Sequence, residues 1–526
     1  MVSTLFPLLF FLLAASVNCE DPRLLVSIDD GPIRGTYRQS RDGRTFLAFE
    51  GIPYAEPPVG SLRFEDPQPI KPWTDILDAT APSICLQTFG TPMGQEDCLY
   101  LNVYVPREEI NPEENLDVIV HIHGGAFEIG SPGYMAAPGL IMDRDVVYVT
   151  MSYRLGIFGF YSTGNGVSNG NFGLKDQALS LKWIQNNIRN FGGNKDSVTI
   201  TGLSAGSASV HLHYFSPLSK GLFHRGFAQS GTALDPWAVR RDPSINGRFI
   251  ADAVGCPWED IECLKEIPAE ELLTLAGQTG STSISFGPTL EPESPTSFLS
   301  ELPRSQVDAD QVLDVPLLLS VVTEDGTVVC EWLDGLFDFL DENWNVIMPL
   351  VLEYYNNPRQ DEISQKIRDF YLQDRPVTAE TFGQVLNICT DLTFHNGVRE
   401  TAKLQGTITS SDVYVFLMGY AGRARTHLGV GHGTDARFFF DDFLGLMGPV
   451  GLDEEEERMK DILLDMLVSY ARTGIPKVEG VDFQPVSESG DFDYMFISSP
   501  DDLTLKRGDT LGEVEFWDSL RLYEDD

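Results

Sequence analysis

Ser197-Val-Thr-Ile-Thr-Gly202-Leu-Ser204-Ala-Gly206 is the stretch on which the fold turns. Its first five residues are mostly β-branched and read as a buried strand. Residues 205–214 read as a helix. A serine held between a strand and a helix, with glycine two residues to either side, is the strand–turn–helix setting of a nucleophile elbow. Glycine permits the tight turn and the close packing of strand on helix. The positive end of the helix favours negative charge developing beside the serine.

Working outward, residues 99–105, 117–122 and 146–152 are further apolar runs of strand length. Such runs suit strands covered on both faces. Residues 174–191 carry Leu174, Ala178, Leu181, Ile184 and Ile188 at helical spacing, which predicts an amphipathic crossover helix. Strand, helix, strand in this order gives an α/β class: a mostly parallel central sheet with helices on both faces. Residues 24–28 and 45–48 are early strand candidates, and 315–322 and 412–416 are late ones. Residues 363–372 and 454–473 read as helices. The acidic run 453–457 opens the second of these and reads as a solvated helix start matched to the dipole. Residues 279–304, rich in Pro and Ser, read as a pocket wall rather than a linker. No internal repeat is visible, so residues 20–526 read as a single domain.

The 37 Lys and Arg stand against 78 Asp and Glu, a net charge of −41. Such a surface repels nucleic acid and anionic membranes, and neither is expected as a partner. Residues 5–15 are almost wholly apolar, too short to span a bilayer and suited to a signal-peptide core. Residues 1–19 are therefore expected to leave, and the remainder to be secreted. The polar C-terminus carries no pattern of a membrane or lipid anchor. Six cysteines then remain. Cys85 with Cys98, and Cys256 with Cys263, are close enough to pin short loops; the first pairing is worth about 3 kcal/mol on a loop-entropy model. Cys330 and Cys389 are left over, to pair or to stay as buried thiols, and the sequence favours buried thiols. The oligomeric state is not legible.

A serine nucleophile needs a base, and chain order in this architecture places it C-terminal to the serine. His432, in Gly429-Val-Gly-His432-Gly-Thr, fits a loop after a late strand; His427 and His395 are the alternatives. His211 and His213 fall on the helix after the elbow and read as structural. His121 and His123 form an H-x-H pair without a third ligand, so no metal is expected, and no cofactor. The acid that orients the base is expected after strand 315–322, where Glu324 and Asp325 both qualify. His123-Gly-Gly125-Ala126-Phe127 supplies backbone N–H groups for an oxyanion, with Ala205 adding another.

Several strings together resemble the cholinesterase/carboxylesterase family of α/β-hydrolases. They are Phe191-Gly-Gly-Asn-Lys-Asp-Ser-Val-Thr-Ile-Thr-Gly-Leu-Ser204-Ala-Gly206, Glu96-Asp-Cys98-Leu-Tyr-Leu-Asn-Val-Tyr-Val-Pro106, Gly51-Ile-Pro-Tyr-Ala-Glu-Pro-Pro-Val-Gly60, Ser152-Tyr-Arg-Leu-Gly-Ile-Phe-Gly-Phe160 and Gly170-Asn-Phe-Gly-Leu-Lys-Asp-Gln177. The match spans about residues 31–520, and the chain is most like arthropod carboxylesterases. The resemblance implies the α/β-hydrolase fold and a Ser204, Asp325, His432 triad, with Asp where the family usually has Glu. It implies an oxyanion hole of Gly125, Ala126 and Ala205, and disulfides Cys85–Cys98 and Cys256–Cys263. Arg63 with Glu96, and Arg154 with Asp176, resemble the family's ion pairs. Departures imply an apolar pocket. The first disulfide loop has no Trp, Leu203 replaces the usual acid, Val328 and Val329 replace aromatics, and Ile284 and Phe286 with Trp237 form the acyl wall. The expected function is a secreted serine carboxylesterase for small, uncharged, lipophilic esters. The runners-up are a juvenile-hormone-like or odorant/xenobiotic esterase, a low-turnover ester scavenger, and a non-catalytic adhesion-type binding protein.

Overall fold

The computed structural model describes residues 21–279, 284–355, 357–441, 451–486, 492–508 and 511–522. The expected leader, residues 1–19, lies outside them.

Eleven strands form one sheet. In chain order they are β1 Thr36–Gln39, β2 Thr45–Pro53, β3 Tyr100–Val105, β4 Leu116–Ile122, β5 Val147–Met151, β6 Gly193–Leu203, β7 Arg225–Gln229, β8 Leu317–Val322, β9 Val413–Met418, β10 Tyr494–Ser499 and β11 Asp502–Lys506. Their order across the sheet is β11-β10-β9-β8-β7-β6-β4-β5-β3-β2-β1. From β5 to β10 every pairing is parallel, while β1, β2, β3 and β11 add antiparallel edges. The expected mostly parallel sheet is therefore present.

Strand β4 shows why the central runs are apolar throughout. Val118, Val120 and Ile122 join one buried cluster, and Ile119 joins another on the opposite face. Side chains alternate across a strand, and both faces are covered. Helix α1 Phe172–Asn187 packs on the first face; helix α3 Glu454–Thr473 packs on the second. Helix α2 Ala205–His213 follows β6 directly.

The acidic run at the start of α3 is only partly solvated. Asp453 caps the helix and forms a reciprocal capping box with Glu456. Glu456, however, is fully buried and pairs with Arg423 at 2.8 Å and Arg437 at 3.2 Å. It anchors the helix to the loop after β9 rather than facing water.

The expected close cysteine pairs are joined, Cys85 to Cys98 and Cys256 to Cys263. The expectation of free thiols at Cys330 and Cys389 is corrected: they form a third disulfide. The helix Thr327–Cys330 packs on the helix Phe382–Thr390, which brings the two Cα atoms to 6.5 Å, within reach of a disulfide. A separation of 59 residues hides that contact from the sequence. Both cysteines sit in a third apolar cluster, away from the sheet.

Candidate active site

Ser204 stands between β6 and α2 with φ 60° and ψ −123°, a conformation that costs a non-glycine residue energy. The elbow holds because Gly202 and Gly206, two residues to either side, have no side chain. A Cβ on Gly202 would strike the carbonyl of Gly206, and one on Gly206 would strike the carbonyl of Ile122. The Ser204 amide donates to Gln229 O at 2.9 Å, tying the turn to the end of β7. Strands β6, β7 and β8 are parallel neighbours. Ser204, Ser230 and Asp325 thus leave their C-terminal ends side by side, where open α/β sheets place their sites.

His432 lies on the loop after β9. Its Nδ1 shares a 2.7 Å hydrogen bond with Asp325 Oδ1. An ionised carboxylate only accepts, so Nδ1 carries the proton and Nε2 is left as an acceptor. Nε2 is buried and has no partner among the described residues. Asp325 is fully buried, and its second oxygen accepts from Ser230 Oγ at 2.8 Å and the Val322 amide at 2.9 Å. The other candidate acid, Glu324, does different work. Its carboxylate accepts from the Val430 amide at 2.7 Å, and its amide donates to Val430 O at 3.1 Å. Glu324 thus holds the histidine loop, while Thr327 Oγ1 accepts from the His432 amide at 2.9 Å.

The other histidines are engaged elsewhere. His427 pairs with Asp334 at the surface, and His395 Nε2 donates to Val322 O at 3.0 Å. His211 meets Gln405, and His213 bridges Gln177 and Ser219. Burial pushes His211 and His123 down to about 4, and His213 and His121 down to about 3. Those four stay neutral and hold packing together.

The loop Gly124–Phe127 wraps the elbow; a Cβ on Gly124 would meet Leu203 O at 2.5 Å and Ser204 Cβ at 3.2 Å. Gly125 has φ +107°, and a Cβ there would strike Ile129 O, so only glycine fits. Ala126 and Phe127 follow at φ 56° and 58°. The amides of Gly125, Ala126 and Ala205 have no acceptor among the described residues.

Trp237 lies beside the elbow: a Cβ on Gly231 would meet both its ring, at 2.9 Å, and Ser204 O, at 3.1 Å. Its indole donates to Thr393 O at 2.7 Å, and its ring meets Phe394, which in turn packs 4.9 Å from the His432 ring. Ile284 and Phe286 are buried near Phe127; residues 282 and 283 of the same expected wall lie outside the described residues. Leu203 is buried in the second-face cluster. Val328 is 53% exposed and Val329 packs on the third cluster. The ion pairs Arg63–Glu96 and Arg154–Asp176 form at 2.6 and 2.7 Å.

Four residues at the site carry no sequence signal of their own. Ser230 and Phe394 are ordinary residues until folding brings them to Asp325 and His432. Asp435 is fully buried within electrostatic reach of both, with Oδ1 unpartnered among the described residues. Glu128 follows the glycine loop, and only the fold shows what it grips.

The profile described as “Carboxylesterase family” matches residues 22–517. A carboxylic ester hydrolase of Bombus ignitus is 37% identical, covering 96% of this chain and 95% of its own length. Venom carboxylesterase-6 of Apis mellifera is 34% identical, covering 98% of each. Esterase E4 of Myzus persicae is 35% identical, covering 91% of this chain and 92% of its own. Among solved structures, juvenile hormone esterase from Manduca sexta, with OTFP covalently attached, superposes with a TM-score of 0.82 at 26% identity. That superposition covers 95% of this chain and 99% of the other.

Proposed function

We propose, from the premise that the chain belongs to the carboxylesterase family, has the α/β-hydrolase fold and is a carboxylic ester hydrolase, that it works through an acyl-enzyme on Ser204 and prefers uncharged, lipophilic esters. His432 Nε2 takes the Ser204 proton as Oγ attacks the ester carbonyl. The Gly125, Ala126 and Ala205 amides receive the oxyanion. Asp325 fixes the imidazole tautomer and stabilises the imidazolium. The alcohol leaves with the proton from His432. Water, activated by the same imidazole, then releases the carboxylic acid.

The observation that carries this reading is the buried Asp325–His432 pair, with Nε2 unpartnered and the elbow on the adjoining strands. The covalent OTFP adduct of the Manduca sexta esterase is consistent with covalent chemistry on this fold. Support for a lipophilic substrate comes from Trp237, Ile284 and Phe286, all buried and uncharged. We place a signal peptide at residues 1–19 and a single secreted catalytic domain after it. Three disulfides suit an oxidising compartment, and no described helix is long and apolar enough to cross a membrane.

Hydrolysis of p-nitrophenyl esters across an acyl-length series, wild type beside Ser204→Ala, tests the proposal. Ser204-dependent turnover with a clear preference among neutral acyl chains is expected. Turnover that survives Ser204→Ala, or a preference for choline-type cationic esters, would overturn it.

A further inference from the structure

Glu128 directly follows the glycine loop Gly124–Phe127. Its amide donates to Gly125 O at 3.0 Å and the Ile129 amide donates to the same oxygen at 2.9 Å, so Glu128 belongs to the tight turn that sets the Gly125 and Ala126 amides. The side chain crosses to a segment 157 residues later. Oε1 accepts from the Ser285 amide at 2.6 Å and, more loosely, from the Phe286 amide at 3.4 Å. Those amides flank the expected acyl-pocket wall, Ile284 and Phe286.

No regular strand or helix includes residues 284–288, and the pairing beside them is a single bridge between Thr289 and Arg240. Its other ties run to Asn246, whose Nδ2 donates to Ser285 O at 2.7 Å, to Thr279, whose Oγ1 meets Ser285 Oγ at 2.9 Å, and to Arg240, whose amide donates to Pro288 O at 2.6 Å. Among the described residues, Glu128 makes the direct polar link from this wall to the oxyanion loop. Hydrogen bonds to a carboxylate are short and strong, and an amide left without its acceptor in a partly buried site costs more than the bond is worth. Burial raises the Glu128 carboxyl while the two amide donors pull it back, as expected of an acid held for its acceptor oxygens.

We propose that Glu128 is a specificity-determining positioning residue, a clamp that registers the acyl-chain wall against the oxyanion-binding amides. The proposal rests on the esterase reading of the same site. Its consequence is that acyl-length preference and oxyanion geometry are set together. An acetyl group, too short to press on the wall, reports on the amides alone; a longer chain reports on both.

The test compares Glu128→Gln, Glu128→Leu and Glu128→Asp with wild type on p-nitrophenyl acetate and on the best longer acyl ester. Organophosphate titration counts competent Ser204 in each preparation. Glutamine keeps an oxygen acceptor at the same reach and is expected to retain the wild-type ratio of kcat/KM between the two esters. Leucine removes the acceptor, and aspartate pulls it back by one methylene. Each is expected to change that ratio about tenfold, with KM for the long ester rising more than KM for acetate. If the leucine variant does not fold, the aspartate variant decides. Equal ratios in wild type and the folded acceptor-shifted variants would overturn the clamp, as would a glutamine variant as perturbed as leucine. Absence of Ser204-dependent turnover in wild type would sink the esterase reading instead, so the two failures are distinguishable.

Discussion

Burial, and then the charge of Asp325, push the Asp435 carboxyl from 3.8 up to about 6. Its value in the fold thus lies above that of the unfolded chain. The stability it contributes is full below 3.8 and lost as pH rises through about 6. Asp435→Asn removes the ionisation. The variant is expected to gain on wild type by about 1 kcal/mol more at pH 8 than at pH 5, toward a limit of about 3 kcal/mol. Denaturant unfolding at the two pH values measures this; a difference that does not vary with pH would contradict the assignment. The two adjacent acids separate in the same way. Asp325→Asn leaves His432 with the wrong tautomer and should lower kcat by about 10⁴-fold. Glu324→Gln keeps an oxygen for the Val430 amide and should cost less than about tenfold, since one neutral hydrogen bond replaces a charged one. Steady-state kinetics on one neutral ester distinguish them, and equal losses would contradict the division of roles. Ser204 and His432 are legible in the sequence because each sits in its own glycine-bearing string. The residues alone leave Glu324 and Asp325 open, because neighbouring side chains leave the backbone in different directions; the resemblance favours Asp325, and the fold brings Asp325 to His432.

Elements with long apolar runs are read from the sequence to within a few residues. The run 197–201 lies inside β6, 117–122 matches β4 to one residue, and 454–473 is α3. Strands β7, β10 and β11 escape notice because none is an unbroken apolar run: β7 reads Arg-Gly-Phe-Ala-Gln, β10 ends in two serines, and edge strand β11 alternates. The third disulfide is an element-scale contact of the same illegible kind. It joins the short helix after Asp325 to the helix whose end carries Thr390, and Thr390 Oγ1 accepts from the Gly326 amide at 2.9 Å. A Cβ on Gly326 would strike that backbone, so the acid loop lies directly on it. Replacing both cysteines by alanine should cost about 4 kcal/mol of stability on a loop-entropy model. It should also lower kcat more than it raises KM, because the acid loop loses its support. Thermal unfolding and steady-state kinetics together check this; a destabilised variant with unchanged kcat would confine the disulfide to folding.

At the scale of the whole molecule, the charge of −41 acts on approach rather than on chemistry. A negatively charged ester is repelled before it reaches the site, and a neutral one is not. Screening shortens from about 30 Å at 0.01 M salt to about 8 Å at 0.15 M. Raising salt over that range should therefore increase kcat/KM for a monoanionic ester by a factor on the order of 10, and leave a neutral ester of equal size unchanged. Equal salt responses would contradict electrostatic exclusion. The composition shows this much directly, since charge needs no fold to be counted. It says nothing of which ester the site takes, because Trp237, Phe394 and His432 come together only through tertiary packing.

The central claim is an ester bond between substrate and Ser204, and trapping it is the direct measurement. A p-nitrophenyl ester is mixed with the enzyme, quenched in acid during turnover, and the chain digested and mapped by mass spectrometry. The account predicts up to one acyl group per chain, on the peptide carrying Ser204, and none in Ser204→Ala. Turnover with no acylated Ser204 peptide, or acyl groups on another residue that persist in Ser204→Ala, would contradict it.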